Sequence, residues 1–197
     1  FHPAVEEMYP AESSVLVQAV HRTNVLCGRS RPGHFDGVAT VLTKLFNIIM
    51  PHRVYFGIKD AQQVAVVDGL IHDFNFPIEL VTVATVREPD GLARSSRNVN
   101  LDPKERVQAK ELYQSLLHAK ALIHKGERVP GKMIDYIRSH IERTTDGLID
   151  YIEIYSYPEL EALQIIQGKV IIALAVKFSK TRLIDNIILE IDHGRNE

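Results

Sequence analysis

The segment from Asp90 to Asn98, DGLARSSRN, concentrates side chains that could hold a phosphate chain. Two adjacent hydroxyls, Ser95 and Ser96, precede the guanidinium of Arg97, which offers a planar fork of donors matched to phosphate oxygens. The turn formers at positions 89–91 predict that the segment is a loop. Taken alone, this composition is better explained by a solvated loop that caps a helix, so the phosphate interpretation depends on where the loop lies.

The elements before this loop predict its position. Apolar spacing indicates alternating elements, namely a helix over 36–50, a strand over 53–57, a helix over 61–74 and a strand over 78–86. Such alternation is typical of a parallel α/β sheet, in which ligands bind outside the carboxyl ends of the strands. The loop at 90–98 follows one strand end and the segment GIKD, at 57–60, follows another. Both segments are therefore predicted to face one ligand site.

The segment around GIKD carries further candidate ligands. Gly57 has no side chain, so a base or ribose could approach its backbone closely, and Lys59 could give a positive charge to a triphosphate. Asp60 could belong to the site or cap the following helix. Gln63, in the first helical turn, is expected to face the same rim, where its amide could bond a hydroxyl and a carboxylate of a small acid. Gln62 is expected at the surface.

The chain after the loop has a different pattern. Asp102, Pro103 and Glu105 occupy the N-cap, N1 and N3 positions of a predicted helix that continues to about Lys125. A second helix and three strands follow, at 130–143, 148–156, 169–178 and 183–191. The short connection at 179–182 predicts an antiparallel hairpin. We therefore predict an α/β domain over 1–87 and a small α+β domain over 88–197, with the boundary near Glu88.

The composition excludes several classes of protein. The chain has 197 residues, 45% of them hydrophobic, with 23 basic and 25 acidic residues. Apolar residues are too abundant for a disordered chain, and the near balance of charge argues against nucleic-acid or membrane partners. No apolar run reaches the length of a membrane span. Cys27 is the single cysteine, which excludes an intramolecular disulfide and fits a reduced, cytoplasmic setting.

The first part of the chain gives weaker predictions. Residues 15–20 form a short apolar run that could be an edge strand, and the Gly- and Arg-rich segment at 27–36 is predicted to be a loop. Arg29 and Arg31 in this loop could meet an anion or be solvated surface charges. His34 is expected to be a hydrogen-bonded structural residue, because no second ligand stands at zinc spacing.

Several motifs together resemble the pantoate–β-alanine ligase family. They are RPGHF at 31–35, YFGIKDAQQ at 55–63, DGLARSSRN at 90–98 and AVKFSKTRLIDN at 175–186. The resemblance runs through essentially the whole chain in order. The first motif is weak alone, whereas FGxKDxQQ, DGLxxSSRN and RLIDN are highly specific in combination.

The resemblance implies a fold and a reaction. The family has a Rossmann-like nucleotidyltransferase domain followed by a small C-terminal domain that covers the site, usually in a cytoplasmic homodimer. It condenses pantoate with β-alanine, using ATP and magnesium. Pantoate attacks the α-phosphate to give pantoyl adenylate and pyrophosphate, and the amine of β-alanine then displaces AMP.

The resemblance also implies roles for individual residues. Lys59, Ser95, Ser96 and Arg97 would be catalytic, and Gln63 would bind pantoate. ATP would be bound by these cations and hydroxyls together with a further set, namely Gly57, Ile58, Asp60, Val86 and Arg94. The 94–97 segment would stand in place of the KMSKS-like loop of related adenylate-forming enzymes, with Arg94 contributing only its backbone. Donors held in place in this way stabilise the charged transition state more than ground-state ATP. No metal ligand is predicted among the residues.

One departure from the family pattern is large. Family members carry a His-x-Gly-His motif and a second pantoate-binding Gln, and this sequence has neither. The pattern would place both upstream of Phe1, so the chain is expected to be the C-terminal part of the enzyme and to be inactive, or nearly so, alone. Two alternatives stay open, a nucleotidyltransferase with another substrate and a non-catalytic fragment that serves folding or association.

Overall fold

The computed structural model describes residues 1–192, so the last five residues of the predicted 88–197 domain lie outside the described residues. Seven α-helices and five strands occur in this range. The helices are α1 Val5–Met8, α2 Leu26–Arg29, α3 His34–Ile49, α4 Ala61–Asp73, α5 Pro103–Gln108, α6 Glu111–His124 and α7 Pro130–Thr144. The strands are β1 Arg53–Gly57, β2 Glu79–Val83, β3 Leu148–Ser156, β4 Gly168–Lys177 and β5 Arg182–Ile191. Two 3-10 helices, Ile58–Asp60 and Ser96–Asn100, complete the order.

The first sheet is a parallel pair. β1 and β2 run from Arg53 opposite Glu79 to Gly57 opposite Val83, and α4 connects them. Alternate residues of β1 pack against α3 and α4, where apolar side chains such as Phe46 and Val67 form the core. The opposite face of the pair carries exposed apolar side chains, including Tyr55. The two carboxyl ends therefore lie side by side, as the predicted alternation requires.

The second sheet is antiparallel, in the order β3, β4, β5. One face packs on α6 and α7 through side chains such as Ile137 and Leu174, both fully buried. The other face packs against Leu26 and Ala61, so that β4 is buried on both sides. A parallel pair followed by helices and an antiparallel sheet confirms the predicted fold class. The domain boundary near Glu88 stays a prediction.

The long helix predicted from 102 to 125 is divided into α5 and α6. The start is as predicted, because the Asp102 carboxylate accepts from the Glu105 N–H at 2.8 Å and Glu105 accepts from the Asp102 N–H at 3.0 Å. At Ala109 and the following residue ψ is −26°, a 3-10 value, and the Leu112 N–H donates to the Ala109 carbonyl. This tighter turn brings Ala109 and Leu112 into the same core, where both are buried.

The edge strand proposed for residues 15–20 is wrong. The Val17 N–H donates to the Thr40 hydroxyl at 3.1 Å, and the Ala19 N–H donates to the Asp36 carboxylate at 2.9 Å. Side chains of α3 thus satisfy the backbone that a strand would pair in a ladder. The segment at 1–10 contains the short helix α1, with Glu6 and Glu7 in its first turn.

Candidate active site

A cleft of about 560 Å³ lies where the carboxyl end of the parallel sheet meets the antiparallel sheet. Four stretches contribute most of its lining: residues 26–35, the start of α4 with the turn before it, the loop at 92–98, and residues 182–186 of β5. Single residues of α6, β3 and β4, such as Tyr151, complete it. The volume is within the range of small-molecule sites. The two segments predicted to share a site, GIKD and DGLARSSRN, do contribute residues to one cleft.

The GIKD turn brings part of its predicted set to the cleft. Lys59 and Asp60 line it, whereas Gly57 and Ile58 do not. Ile58 packs instead with the apolar cluster below the cleft. A side chain at Gly57 would meet open space, so the backbone there is accessible. Asp60 is the N-cap residue of α4, but its carboxylate makes no capping hydrogen bond. The predicted capping role is therefore wrong, and Asp60 contributes to the cleft lining instead.

Two adjacent glutamines at the start of α4 have opposite surroundings. Gln63 lines the cleft, as expected. Gln62, expected at the surface, is 6% exposed. Its amide donates to the carbonyls of Arg22 (2.9 Å) and Val25 (2.8 Å), and its oxygen accepts from the Gly28 N–H (3.1 Å). Gln62 therefore holds the segment that forms one wall of the cleft, a long-range role that helical spacing alone does not reveal.

Residues 86–94, just before the two serines, form a tight hairpin. We call this hairpin, together with the SSRN residues that follow it, the 86–98 hairpin. The Arg94 N–H donates to the Val86 carbonyl at 2.9 Å, and the Glu88 N–H donates to the Leu92 carbonyl at 2.8 Å. Gly91 turns the chain at φ +95°, where a side chain would also meet Tyr113. The hairpin therefore directs the residues after it into the cleft.

The SSRN residues are divided between the cleft and its outer edge. Ser95, Arg97 and Asn98 line the cleft, whereas Ser96 and Arg94 lie outside the lining. Ser95 accepts a hydrogen bond from the Arg97 N–H at 3.2 Å, which caps the 3-10 helix. Arg94 is exposed and pairs with Glu88 at 3.0 Å, in keeping with a contribution from its backbone alone. Val86 is 60% exposed beside the hairpin and is also outside the lining.

Asn98 is a candidate site residue that the sequence argument did not assign. Its amide donates to the Ala93 carbonyl at 3.1 Å, which fixes the side chain within the loop. Its Oδ1 is buried and has no hydrogen-bond partner among residues 1–192. A buried acceptor without a partner costs free energy, so a ligand donor in the cleft would satisfy it. Its place directly after the serines was the available signal.

The cleft is lined by more cations than carboxylates. Its basic side chains are Arg31, Lys59, Arg97 and Arg182. Of its two carboxylates, Asp185 is neutralised by a bidentate pair with Arg87 at 2.7 and 2.9 Å. Arg182 is likewise paired with Asp150, at 2.7 Å. Asp60 is therefore left to offset the other three cations. This imbalance favours an anionic ligand, and an enclosed cleft strengthens the attraction relative to bulk water.

The cleft lining also contains a thiol and a phenol in contact. The Cys27 Sγ lies 3.3 Å from the Tyr151 hydroxyl and 3.4 Å from a guanidinium nitrogen of Arg182. Burial raises the pKa of Tyr151, which therefore stays protonated at neutral pH. Burial, together with Arg31, lowers the pKa of His34, so that its imidazole is neutral at the cleft. Cys27 is half-buried.

Comparison with known proteins gives the family. The family model described as Pantoate-beta-alanine ligase matches residues 1–188. The pantothenate synthetase of Geobacillus sp. (strain WCH70) is 63% identical over 191 residues, which cover 97% of this chain and 68% of that protein. The chain thus spans about two thirds of the length of this relative.

Solved structures agree with this match. The crystal structure of pantothenate synthetase from Thermus thermophilus superposes with a TM-score of 0.87 at 40% identity, covering 94% of this chain and 67% of that one. The ligase from Francisella tularensis, solved in complex with beta-gamma ATP and β-alanine, superposes with a TM-score of 0.66 at 30% identity, covering 93% and 61%. The chain belongs to the pantoate–β-alanine ligase family.

Proposed function

We propose that this chain forms the nucleotide- and pantoate-binding part of an enzyme that makes pantothenate from pantoate, β-alanine and ATP. The observation that carries the proposal is the single cleft that gathers Lys59, Gln63, Ser95 and Arg97, all in family motifs. In the first step a pantoate carboxylate oxygen attacks the α-phosphorus, and the bond to the β-phosphate breaks as pyrophosphate leaves. In the second step the β-alanine amine attacks the acyl carbon and AMP leaves.

The cationic lining supports a role in the first step. Lys59 and Arg97 both line the cleft, so a triphosphate bound there would meet positive charge from the GIKD turn and from the SSRN loop. Such fixed charges act on the negative charge that develops in the transition state. We assign Ser95 as a donor to the phosphates and Gln63 to pantoate. The proposed ATP site also includes five residues that are assigned by the family resemblance and do not line the cleft, namely Gly57, Ile58, Val86, Arg94 and Ser96.

Magnesium fits this cleft as the partner of the ATP phosphates. No group of three His, Cys, Asp or Glu side chains that could hold a metal occurs among residues 1–192. Magnesium is often held by one or two carboxylates together with substrate phosphates, and the Asp60 carboxylate at the rim is available to it. The ion, when bound, would neutralise phosphate charge.

We propose further that the full-length protein is a cytoplasmic homodimer, with residues 1–87 and 88–197 as separate domains. Support for a reducing setting comes from Cys27, a free thiol. None of the helices in the described part of the chain is long and apolar enough to cross a membrane. Light scattering of the purified protein measures the mass, and a monomer at working concentration would contradict the dimer.

Pantoate-dependent exchange of labelled pyrophosphate into ATP tests the function. We would measure it on the 197-residue chain and on a version extended to the length of its relatives, since we propose that the chain alone is inactive or nearly so. Exchange in the extended protein alone supports both proposals. Exchange in both proteins contradicts the need for the extension. Exchange in neither contradicts the ligase, and a substrate panel would then identify another nucleotidyltransferase.

A matched pair of variants assigns the activity to the cleft. Lys59→Ala in the extended protein is expected to lower the exchange rate about 100-fold, the usual cost of removing one preorganised donor. Lys104→Ala removes an exposed lysine outside the cleft that pairs with Asp146, and it is expected to leave the rate unchanged. Equal effects of the two substitutions would contradict the assignment of Lys59.

A further inference from the structure

Two consecutive residues of β5, Asp185 and Asn186, each contact one of the two segments, GIKD and the 86–98 hairpin, that contribute to the cleft. Neighbouring residues of a strand project to opposite faces of the sheet. Asp185 projects to the face covered by α6, and Asn186 projects to the face that packs on the start of α4. One dipeptide therefore reaches two segments that are far apart in sequence.

Asp185 holds the base of the 86–98 hairpin. Its carboxylate accepts two hydrogen bonds from Arg87, at 2.7 and 2.9 Å, and the side chain is 3% exposed. The Arg87 guanidinium also donates to the Gly91 carbonyl at 3.0 Å and lies 3.4 Å from the centre of the Tyr113 ring. A bidentate pair fixes orientation as well as distance. The hairpin that carries Ser95 is thus fixed to the antiparallel sheet.

Asn186 holds the GIKD turn. Its amide nitrogen donates to the carbonyls of Ile58 at 3.1 Å and Lys59 at 2.9 Å, and the residue is 7% exposed. Both carbonyls belong to the 3-10 turn that carries Lys59 to the cleft. The Asn186 N–H donates to the Asp185 carboxylate at 2.8 Å. This bond joins the two residues, which we call the two anchors.

We infer that Asp185 and Asn186 are positioning residues that set the spacing between Lys59 and the Ser95–Arg97 segment, and hence the fit of the cleft to a nucleoside triphosphate. The inference rests on the proposed function for the identity of the ligand. The antiparallel sheet can hold the two segments at a fixed spacing, because β4 beside the pair is buried on both faces. Both residues also border the cleft, and we assign their effect to the residues they hold, Asp185 through Arg87 and Asn186 through the backbone of Ile58 and Lys59.

Amide hydrogen exchange, read by mass spectrometry on the full 197-residue chain without ligand, tests the two anchors separately. Asp185→Asn is expected to speed exchange in the 86–98 hairpin and to leave 58–61 unchanged. Asn186→Ala is expected to do the reverse. Because Asp185→Asn leaves the Arg87 charge without its partner, the double variant Arg87→Gln with Asp185→Asn provides a neutral version that should show the same loosened hairpin.

Glu105→Gln is the matched control. Glu105 is a buried carboxylate of the same half of the chain, and it accepts from the N–H groups of Asp102 and Ser179 without contacting either cleft segment. It is expected to lower stability and to speed exchange near 102–108 and 178–180, with both cleft segments unchanged. A general loss of stability would instead speed exchange in both cleft segments for all variants, and that result would overturn the inference.

ATP affinity, measured by calorimetry on the same proteins, links the anchors to function. Asp185→Asn and Asn186→Ala are each expected to weaken ATP binding about tenfold, a typical size for coupling between sites, and Glu105→Gln is expected to have no effect. Unchanged ATP affinity in both variants would overturn the inference. Absence of ATP binding by the unsubstituted chain would contradict the proposed nucleotide site instead, and the exchange pattern would still decide whether the two anchors act as described.

Discussion

The two sheets of this chain differ in how completely they are covered. The antiparallel sheet has helices on one face and the start of α4 on the other, so that residues of β4 such as Leu174 are fully buried. The parallel pair has its core on one face only. On its other face Tyr55 is 64% exposed and Val83 is 44% exposed. Within this 197-residue chain we therefore expect the antiparallel sheet to be the more stable of the two, because local stability follows burial.

This difference in coverage is paralleled by a difference in where the candidate ligand-binding residues lie. Lys59, Gln63 and Ser95 lie on a turn, a helix start and a loop that follow the less covered parallel strands. The antiparallel sheet supplies a wall of the cleft and, through Asp185, an anchor for the hairpin. We therefore expect substitutions in the antiparallel core to act on folding and substitutions at the parallel strand ends to act on the ligand.

The largest expected effect is on the free energy of unfolding, from a substitution in the antiparallel core. Leu174→Ala removes a fully buried side chain from the antiparallel core and is expected to reduce the free energy of unfolding by about 3 kcal/mol through lost burial and a residual cavity. Tyr55→Ala, on the exposed face of the parallel pair, is expected to change it by less than about 0.5 kcal/mol. Urea unfolding followed by circular dichroism measures both. Similar losses of unfolding free energy in the two variants would contradict the expected difference between the two sheets.

Two adjacent glutamines in the first turn of α4 are expected to differ in the same way, one affecting stability and the other affecting the ligand. Gln62→Ala removes three hydrogen bonds from a buried position and is expected to cost about 1–3 kcal/mol of stability, because the groups it served are left unpaired. Gln63→Ala is expected to leave stability nearly unchanged and to weaken the response to pantoate in the exchange assay. Thermal unfolding and the dependence of exchange on pantoate concentration measure the two effects. A destabilised Gln63→Ala protein with a normal pantoate response would contradict the assignment.

Local patterns predicted most of the secondary structure and the relation between the two loops. β1 and β3 have the predicted bounds, and the alternation of helices with parallel strands placed GIKD and DGLARSSRN at one cleft. The Asp102–Glu105 capping box was also predictable, because its partners are three residues apart. Each of these signals is local in sequence, or follows from one rule about parallel sheets.

The errors share a long-range cause. Residues 15–20 have a strand-like composition, but side chains of α3 satisfy their backbone. Helical spacing placed Gln62 at the surface, whereas the segment beginning at Arg22 folds over it. The Asp185 and Asn186 contacts span about a hundred residues or more and leave no periodic signal.

The smallest expected effect compares the two Arg–Asp pairs that hold the 86–98 hairpin. Asp90 pairs with Arg106 at 2.6 Å, but both side chains are about one-third exposed, unlike the buried Arg87–Asp185 pair. Solvent screening limits such a pair to less than about 1 kcal/mol. Its hydrogen bond from Arg106 lowers the pKa of the Asp90 carboxyl. The pair therefore contributes fully above the ordinary carboxyl pKa of about 4, and this contribution is lost as the pH falls through the lower folded-state pKa.

A double-mutant cycle with Asp90→Asn and Arg106→Gln isolates this contribution. The coupling free energy from urea unfolding is expected to be small and favourable at neutral pH, and to vanish once the pH is low enough to protonate Asp90 in the folded protein. The sign follows from the lowered pKa, because the folded state prefers the carboxylate and loses that preference only when the group is neutral. A coupling that stays constant down to the lowest pH at which the protein remains folded would show that the pair acts through packing rather than charge. In that case the hairpin would depend on Arg87 and Asp185 alone for an ionic attachment to the antiparallel half of the chain.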